Sequence, residues 1–427
     1  MINFLEKEFG IDKKIIGHVN SCEDDIKNTW SKLSEIAELN QYKVLSAFKK
    51  HRLSDSHFAF NTGYGYDDAG REITEQIFAD VFGAETALVR TQIVNGTHAL
   101  SITFAGILRP NDTLLYCTGA PYDSLQSTIG ITGSDMGSLK DFGIRYKQIE
   151  LGNNGKLDYE ALREALTPDV KMVALQRATG YSSRPAIIID EIAEWVSFVK
   201  NIREDIICMV DNCYGEFMEF VEPTAVGVDI MAGSLIKNPG GGLTLSGGYV
   251  AGRKELVEKV SYRLTCPGIG GECGLTFGQT RSILQGFFLA PGTVINAVKG
   301  AILCGSVFEK LGFYVKPGVN DNRSDIVQTI RLGNKEAVIA FCEGIQSAST
   351  VDAFVSPIPA FMPGYEDDII MASGGFVTGS TIELSADAPI REPYNVYFQG
   401  GLTYEHAKIG IMVALQNLYD KGLINVG

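Results

Sequence analysis

Between residues 86 and 255, short apolar runs of strand length alternate with stretches of helical character, and this alternation limits what the chain can fold into more than any other feature. The runs are Thr86–Val89, Thr113–Tyr116, Arg145–Leu151, Lys171–Gln176, Ile206–Val210, Met231–Ile236 and Gly248–Ala251. Strand and helix in regular turn point to a sheet that is mostly parallel and covered on both faces. We therefore expect an α/β architecture with seven strands. Ligands on such sheets bind beyond the carboxyl ends of the strands, so chemistry is to be sought just after each run.

The flanking regions read differently. Glu23-Asp24-Asp25 precedes apolar residues at Ile26, Trp30, Leu33, Ile36, Val44, Leu45 and Phe48, and the segment closes on Lys49-Lys50-His51-Arg52. Acid first and base last complements a helix dipole, so the spacing predicts a helix that opens at these acids. A loop follows, Phe60-Asn61-Thr62-Gly63-Tyr64-Gly65-Tyr66-Asp67-Asp68-Ala69-Gly70-Arg71, whose rings and hydroxyls among glycines suit an exposed binding segment. The long apolar stretch Gly286–Phe308 holds Pro291, Asn296 and Lys299, which predicts a buried helix with a break rather than a membrane span. The expected division is a helical arm at 1–60, a large domain at 61–305 and a smaller α+β domain at 306–427.

Composition removes several classes of function. A net charge of −14 with no dense basic stripe would repel a phosphate backbone, so nucleic-acid binding is not expected. The opening Met1-Ile2-Asn3-Phe4-Leu5-Glu6 lacks the blocks of a secretion signal, which predicts a cytoplasmic protein. Eight cysteines without a C-x-x-C pair signal neither a zinc site nor a disulfide framework, so no metal ligands are assigned.

Four elements carry the chemistry. In Asn95-Gly96-Thr97-His98, a Gly-Thr pair opens an apolar helix soon after a strand and would offer N–H groups to a phosphate, although simple capping by Thr97 is the plainer reading. Pro121-Tyr122-Asp123 puts an aromatic ring at the same sheet edge, where it either stacks on a heteroaromatic ring or is a half-buried edge tyrosine. The strand Ile206–Val210 delivers Asp211 at its end, and a buried carboxylate there needs a cation, unless it caps a helix or binds a metal. Lys237 ends the run Ser234-Leu235-Ile236 ahead of Gly240-Gly241-Gly242. Desolvation at that point would lower its pKa and leave a neutral amine able to form a Schiff base, against the alternative of a surface lysine before a flexible loop. For all four plain readings to hold at once, in this chain order, is improbable.

This order resembles the fold-type I enzymes that use pyridoxal 5'-phosphate (PLP), and among them the group that includes cystathionine lyases and methionine γ-lyase. More narrowly, the whole chain is similar to the aluminium-resistance family of cystathionine β-lyase-like proteins. The resemblance rests on Asn61-Thr62-Gly63-Tyr64-Gly65-Tyr66, Asn95-Gly96-Thr97-His98-Ala99, Val210-Asp211-Asn212-Cys213-Tyr214-Gly215-Glu216, Ser234 through Gly242, and Arg391-Glu392-Pro393-Tyr394. It implies the PLP-dependent transferase fold with Lys237 holding the cofactor, Asp211 on its ring nitrogen and Tyr122 stacked on the ring. Gly96, Thr97 and Ser234 would bind its phosphate. It also implies a homodimer or homotetramer with shared active sites.

The sequence departs from that family pattern at three places. Tyr66 stands where the lyases carry the arginine of a Tyr-x-Arg motif that reaches a neighbouring subunit's phosphate, which leaves Tyr64 and Arg71 as the contributors and Tyr66 as a substrate contact. Ile236 replaces a phosphate-binding threonine, and Glu383 stands where an arginine would clasp the substrate carboxylate. Arg391 is the best replacement for that fork. The resemblance implies a carbon–sulfur lyase acting on a sulfur amino acid. Transamination and a PLP-binding regulatory role are the alternatives, and the absence of a G-x-G-x-x-G motif argues against a dehydrogenase.

Overall fold

The computed structural model describes residues 1–133, 135–182, 184–362 and 365–426. It divides into two compact units, Leu39–Leu289 and Met1–Glu38 with Ala290–Gly427. In chain order the helices are α1 (Ile2–Phe9), α2 (Lys13–Ile26), α3 (Trp30–Lys50), α4 (Ala69–Phe82), α5 (Gly96–Ile107), α6 (Asp123–Ile129), α7 (Tyr159–Ala165), α8 (Ile189–Ile202), α9 (Lys254–Leu264), α10 (Thr280–Lys310), α11 (Lys335–Ser347) and α12 (Tyr404–Asp420).

All seven expected runs are strands of one sheet: β1 (Thr86–Arg90), β2 (Thr113–Tyr116), β3 (Arg145–Gln148), β4 (Val170–Gln176), β5 (Ile207–Asp211), β6 (Ile230–Ser234) and β7 (Gly248–Gly252). Their order is β1-β7-β6-β5-β4-β2-β3, and only β7 runs against its neighbours. Successive residues of a strand face opposite sides, so each strand supplies two cores. On one side Leu114, Met172, Ala174, Met209, Ile230, Ala232 and Val250 join Leu100 and Phe104 of α5 and Val257 and Val260 of α9 in one buried cluster. On the other, Tyr249 of β7 meets Phe82 of α4 at 5.2 Å between ring centroids, and Phe78 stacks on Phe287 at 3.8 Å. Both faces are covered, which is why the central strands read as nearly continuous apolar runs.

The second unit holds a five-stranded antiparallel sheet made of β8 (Tyr314–Lys316), β9 (Val327–Arg331), β10 (Ile369–Ala372), β11 (Ser385–Pro389) and β12 (Asn395–Gln399), in the order β10-β11-β12-β9-β8. The expected arm of residues 1–60 is divided in the structure, its first 38 residues grouping with the C-terminal unit. Within that unit the buried face of α2, with Ile15, Ile16 and Val19, packs beside α12.

Two local expectations are corrected. Glu23, Asp24 and Asp25 close α2 instead of opening a helix, and α3 starts only at Trp30. Acids at a helix C-terminus are unfavourable to the dipole, and here cations answer them: Lys408 pairs with Glu23 at 3.0 Å, Lys27 with Asp24 at 2.6 Å and Lys310 with Asp25 at 2.9 Å. The break expected near Pro291 is absent, because α10 runs through it for 31 residues. A proline removes one backbone hydrogen bond, and the burial of two-thirds of the most apolar stretch of α10 outweighs that loss. The division between the units falls between Leu289 and Ala290, one residue ahead of this proline.

Candidate active site

At the carboxyl edge of the large sheet, β5 ends on Asp211, β6 ends on Ser234 just before Lys237, β1 leads into α5 and β2 leads into α6. The cap of α5 is Asn95, whose side chain accepts the His98 N–H at 2.8 Å, so capping by Thr97 is displaced. The Thr97 hydroxyl instead lies 3.0 Å from the Tyr122 hydroxyl and 3.3 Å from Ser124 Oγ. Gly96 is needed for close approach, since a Cβ there would stand 3.0 Å from Cys213 Sγ and 3.5 Å from Ser234 Cβ. Ser234 is buried and its Oγ has no hydrogen-bond partner. A buried hydroxyl left unsatisfied is costly, and at the start of a helix an anion is the group that would satisfy it.

Lys237 Nζ lies 3.9 Å from the centroid of the Tyr214 ring. Burial opposes its charge, but Tyr214, Cys213, Asp211 and Glu216 together prevail and hold the ammonium above the ordinary lysine range. This corrects the expectation of a neutral amine: desolvation acts as foreseen, and the acids gathered around the lysine outweigh it. Asp211 is buried, with Oδ1 accepting the Cys213 N–H at 3.1 Å, and burial raises its carboxyl pKa. It neither caps a helix nor joins a metal cluster, and among the described residues no group of three His, Cys, Asp or Glu is placed to hold an ion. Tyr122 is half-buried against the core beside α5, and burial raises its hydroxyl pKa.

Behind these residues lies a buried polar network that sequence reasoning missed. Tyr249 donates to Glu216 Oε1 at 2.7 Å, Asn212 donates to Glu222 at 2.9 Å, and Arg177 donates to Asn212 at 2.9 Å and to Glu219 at 2.7 Å. Burial pushes the Glu216 carboxyl up to about 8, so it keeps its proton at neutral pH, and Oε2 lies buried without a partner. Asn238, the residue after Lys237, donates from Nδ2 to the backbone oxygens of Tyr214 and Glu216, each at 2.9 Å. In the sequence, Tyr214, Glu216 and Asn238 stand out only as members of the strings around Asp211 and Lys237 that carry the family resemblance, with no role of their own.

The remaining sequence candidates are placed as follows. Arg71 is buried in the first turn of α4 and neither ion-pairs with Glu72 nor with Glu75, which is taken by Arg90 at 2.6 Å. Its guanidinium donates to the carbonyls of Gly63 at 3.0 Å, Gly274 at 3.3 Å and Glu272 at 2.7 Å, fastening the 61–66 loop to the 272–274 segment. Tyr64 and Tyr66 project from that loop, 79% and 69% exposed. Arg391 belongs to the other unit and pairs with Asp367 at 2.9 Å. Glu383 in the same unit is spent locally, accepting the N–H groups of Phe376 and Val377 at 2.8 Å each.

Known proteins match this chain along nearly its whole length. A sequence model for methionine gamma-lyase matches residues 15–419. An uncharacterised protein, YnbB, of Bacillus subtilis strain 168 is 51% identical over 403 residues, covering 94% of this chain and 96% of its own. The crystal structure of a carbon-sulfur lyase involved in aluminum resistance from Clostridium novyi NT is 51% identical with a TM-score of 0.93, covering 97% of this chain and 98% of that one. At 16% identity and a TM-score of 0.62, the pyridoxal-5'-phosphate dependent protein YhfS of Escherichia coli covers 91% of this chain and 97% of its own and shares the fold. Family match, full-length relatives and sheet architecture agree: this chain belongs to the methionine gamma-lyase family.

Proposed function

We propose that this protein binds PLP on Lys237 and cleaves a carbon–sulfur bond of a sulfur amino acid. The observation that carries the reading is the meeting, at one sheet edge, of an unpartnered buried Ser234 hydroxyl, the start of α5 at Gly96, the buried Asp211 carboxyl and Lys237. These residues fit the cofactor's three demands, a phosphate cradle, a carboxylate for the ring nitrogen and an amine. A close relative of known structure is itself described as a carbon-sulfur lyase, which supports the reaction class.

When bound, PLP supplies an electron sink for the bonds around the amino-acid α-carbon. The protein's own groups do the rest. Gly96, Thr97 and Ser234 hold the phosphate, and Thr97 also orients Tyr122 through the 3.0 Å contact of their hydroxyls. Asp211, with one oxygen fixed by the Cys213 N–H, keeps a proton on the ring nitrogen. Lys237 Nζ takes a proton from the substrate and returns one. Arg391 binds the substrate carboxylate, exchanging Asp367 for it, and Tyr64 and Tyr66 serve the site of a second subunit. The expected setting is cytoplasmic.

The test is borohydride reduction followed by mass spectrometry, with the pyridoxyl adduct expected on Lys237. An adduct on another lysine, or none, overturns the reading. Incubation with cystathionine, methionine and cysteine should then release thiol and keto acid in step. A pyridoxamine product without thiol would assign the chain to transamination instead.

A further inference from the structure

Lys237 and Tyr214 meet in a way that neither residue's place in the sequence requires. Tyr214 follows β5 by three positions and has φ +66°, a left-handed conformation that strains a bulky side chain. Such strain persists only where the surroundings enforce it. Asn238 is the enforcing group: its Nδ2 donates at 2.9 Å to the carbonyl of Tyr214 and at 2.9 Å to that of Glu216, so the turn is bound on both sides of Gly215. Because Asn238 is covalently next to Lys237, the bonds that hold the turn also register it against the lysine. The result is a ring, 8% exposed, with the amine 3.9 Å from its centroid. That lies well inside the range over which an ammonium is attracted to an aromatic face, and the attraction is strongest where water is excluded.

We propose that Tyr214 is a positioning residue for Lys237: its ring is the seat of the lysine ammonium whenever the amine is not bonded to the cofactor, and Asn238 fixes that seat. The inference rests on Lys237 as the cofactor lysine, and it adds what happens to that amine after release. A lysine on a four-carbon stem that has lost its covalent partner would otherwise sample many rotamers and both protonation states. Held against the ring, it stays within reach and keeps the proton it has taken. The groups that face the amine are Asp211, Cys213, Tyr214 and Glu216. Of these, Glu216 is protonated at neutral pH, and burial pushes the Cys213 thiol up, so both are then uncharged. At neutral pH that leaves the Asp211 carboxyl and the Tyr214 ring as the groups that favour the cation, and at the alkaline pH where the amine titrates the ionised Glu216 adds to them in wild type and variants alike.

The test reads the amine directly, not turnover. The full chain, freed of cofactor, is pulsed with acetic anhydride across a pH series, and acetylation of the Lys237 peptide is followed by mass spectrometry. A change of access scales the rates at every pH alike, whereas a change of basicity moves the midpoint. Tyr214→Leu should lower the midpoint by about one pH unit, a tenfold larger neutral fraction at fixed alkaline pH, and Tyr214→Phe should leave it near the wild-type value. An unmoved midpoint in Tyr214→Leu, or an equal fall in Tyr214→Phe, overturns the proposal, the second outcome giving the effect to the hydroxyl. If Tyr214→Leu does not fold, Asn238→Ala, which leaves the ring and frees its turn, should shift the midpoint in the same direction, and no shift there overturns it equally. Loss of the borohydride adduct would defeat the cofactor reading alone, because the acetylation midpoint is measured without cofactor.

Discussion

The titrating groups at the head of β5 and β6 each have a distinct signature. Asp211→Asn keeps shape and hydrogen-bonding capacity but cannot hold a proton on a ring nitrogen, so the variant should retain the cofactor's visible spectrum and lose turnover about a hundredfold or more. Full activity would release Asp211 from its role. Glu216 offers a stability measurement. Its carboxyl is raised by burial to about 8, from 4.5 when exposed, so the folded state binds the proton more tightly than the unfolded state. Its favourable contribution is complete below about pH 4.5 and is lost as pH rises through about 8. Relative to Glu216→Gln, the wild type should therefore lose on the order of a few kcal/mol between about pH 5 and pH 9 in urea unfolding, and parallel curves would show that the carboxyl is not buried as a proton carrier. Asp211 and Lys237 were legible because a charged residue that ends an apolar run is unusual. Tyr214 was not, since only its positive φ turns the ring under the lysine.

At the level of elements, the 61–66 loop is the segment whose shape matters most. Gly63 has φ +79°, and a Cβ there would stand 2.2 Å from the Gly274 carbonyl and 2.5 Å from the Thr276 nitrogen, whereas Gly65 has open space around it. Gly63→Ala should lower stability by about 2 kcal/mol or more and expose the loop to protease, while Gly65→Ala should be nearly neutral. Equal behaviour of the two would mean that the loop is not seated on the 274–276 segment. The same seat explains Arg71, a buried cation whose partners are carbonyls. Its removal leaves the buried carbonyls of Gly63 and Gly274, and the part-buried one of Glu272, short of a donor. Sequence pattern identified this loop by its glycines and rings but assigned the arginine to a distant phosphate, because a composition of donors does not say which acceptors will be near.

For the whole molecule, mixed-subunit activity measures how many chains make one site. Tyr64 and Tyr66 stand exposed on a fastened loop, an arrangement suited to contact with another chain. If a second subunit uses them, inactive Lys237→Ala and inactive Tyr64→Ala chains should recover part of the activity when mixed, since a closed dimer then contains one site with neither lesion. Continued inactivity in verified mixed dimers would confine the loop to its own chain. Arg391 is tested alongside: Arg391→Leu should raise KM for amino acids about tenfold or more with kcat less affected, and an unchanged KM would leave the substrate carboxylate to another group.

Periodicity alone determined the large sheet, because a strand buried on both faces must be apolar throughout and its ends must carry the first polar residues. That is why all seven runs, and with them Asp211 and Lys237, could be located from the chain. Tertiary structure decided what periodicity does not encode. It put Asn95 and not Thr97 at the head of α5, carried α10 through Pro291, answered Glu23 and Asp25 of α2 with cations remote in sequence, and turned Arg71 toward backbone carbonyls. It also reversed the expected charge of Lys237. Desolvation follows from a residue's own position, but the sign of a pKa shift depends on every neighbour that folding brings within a few ångströms, and the neighbours of Lys237 come from the end of β5 and the turn after it, more than twenty residues away in the chain.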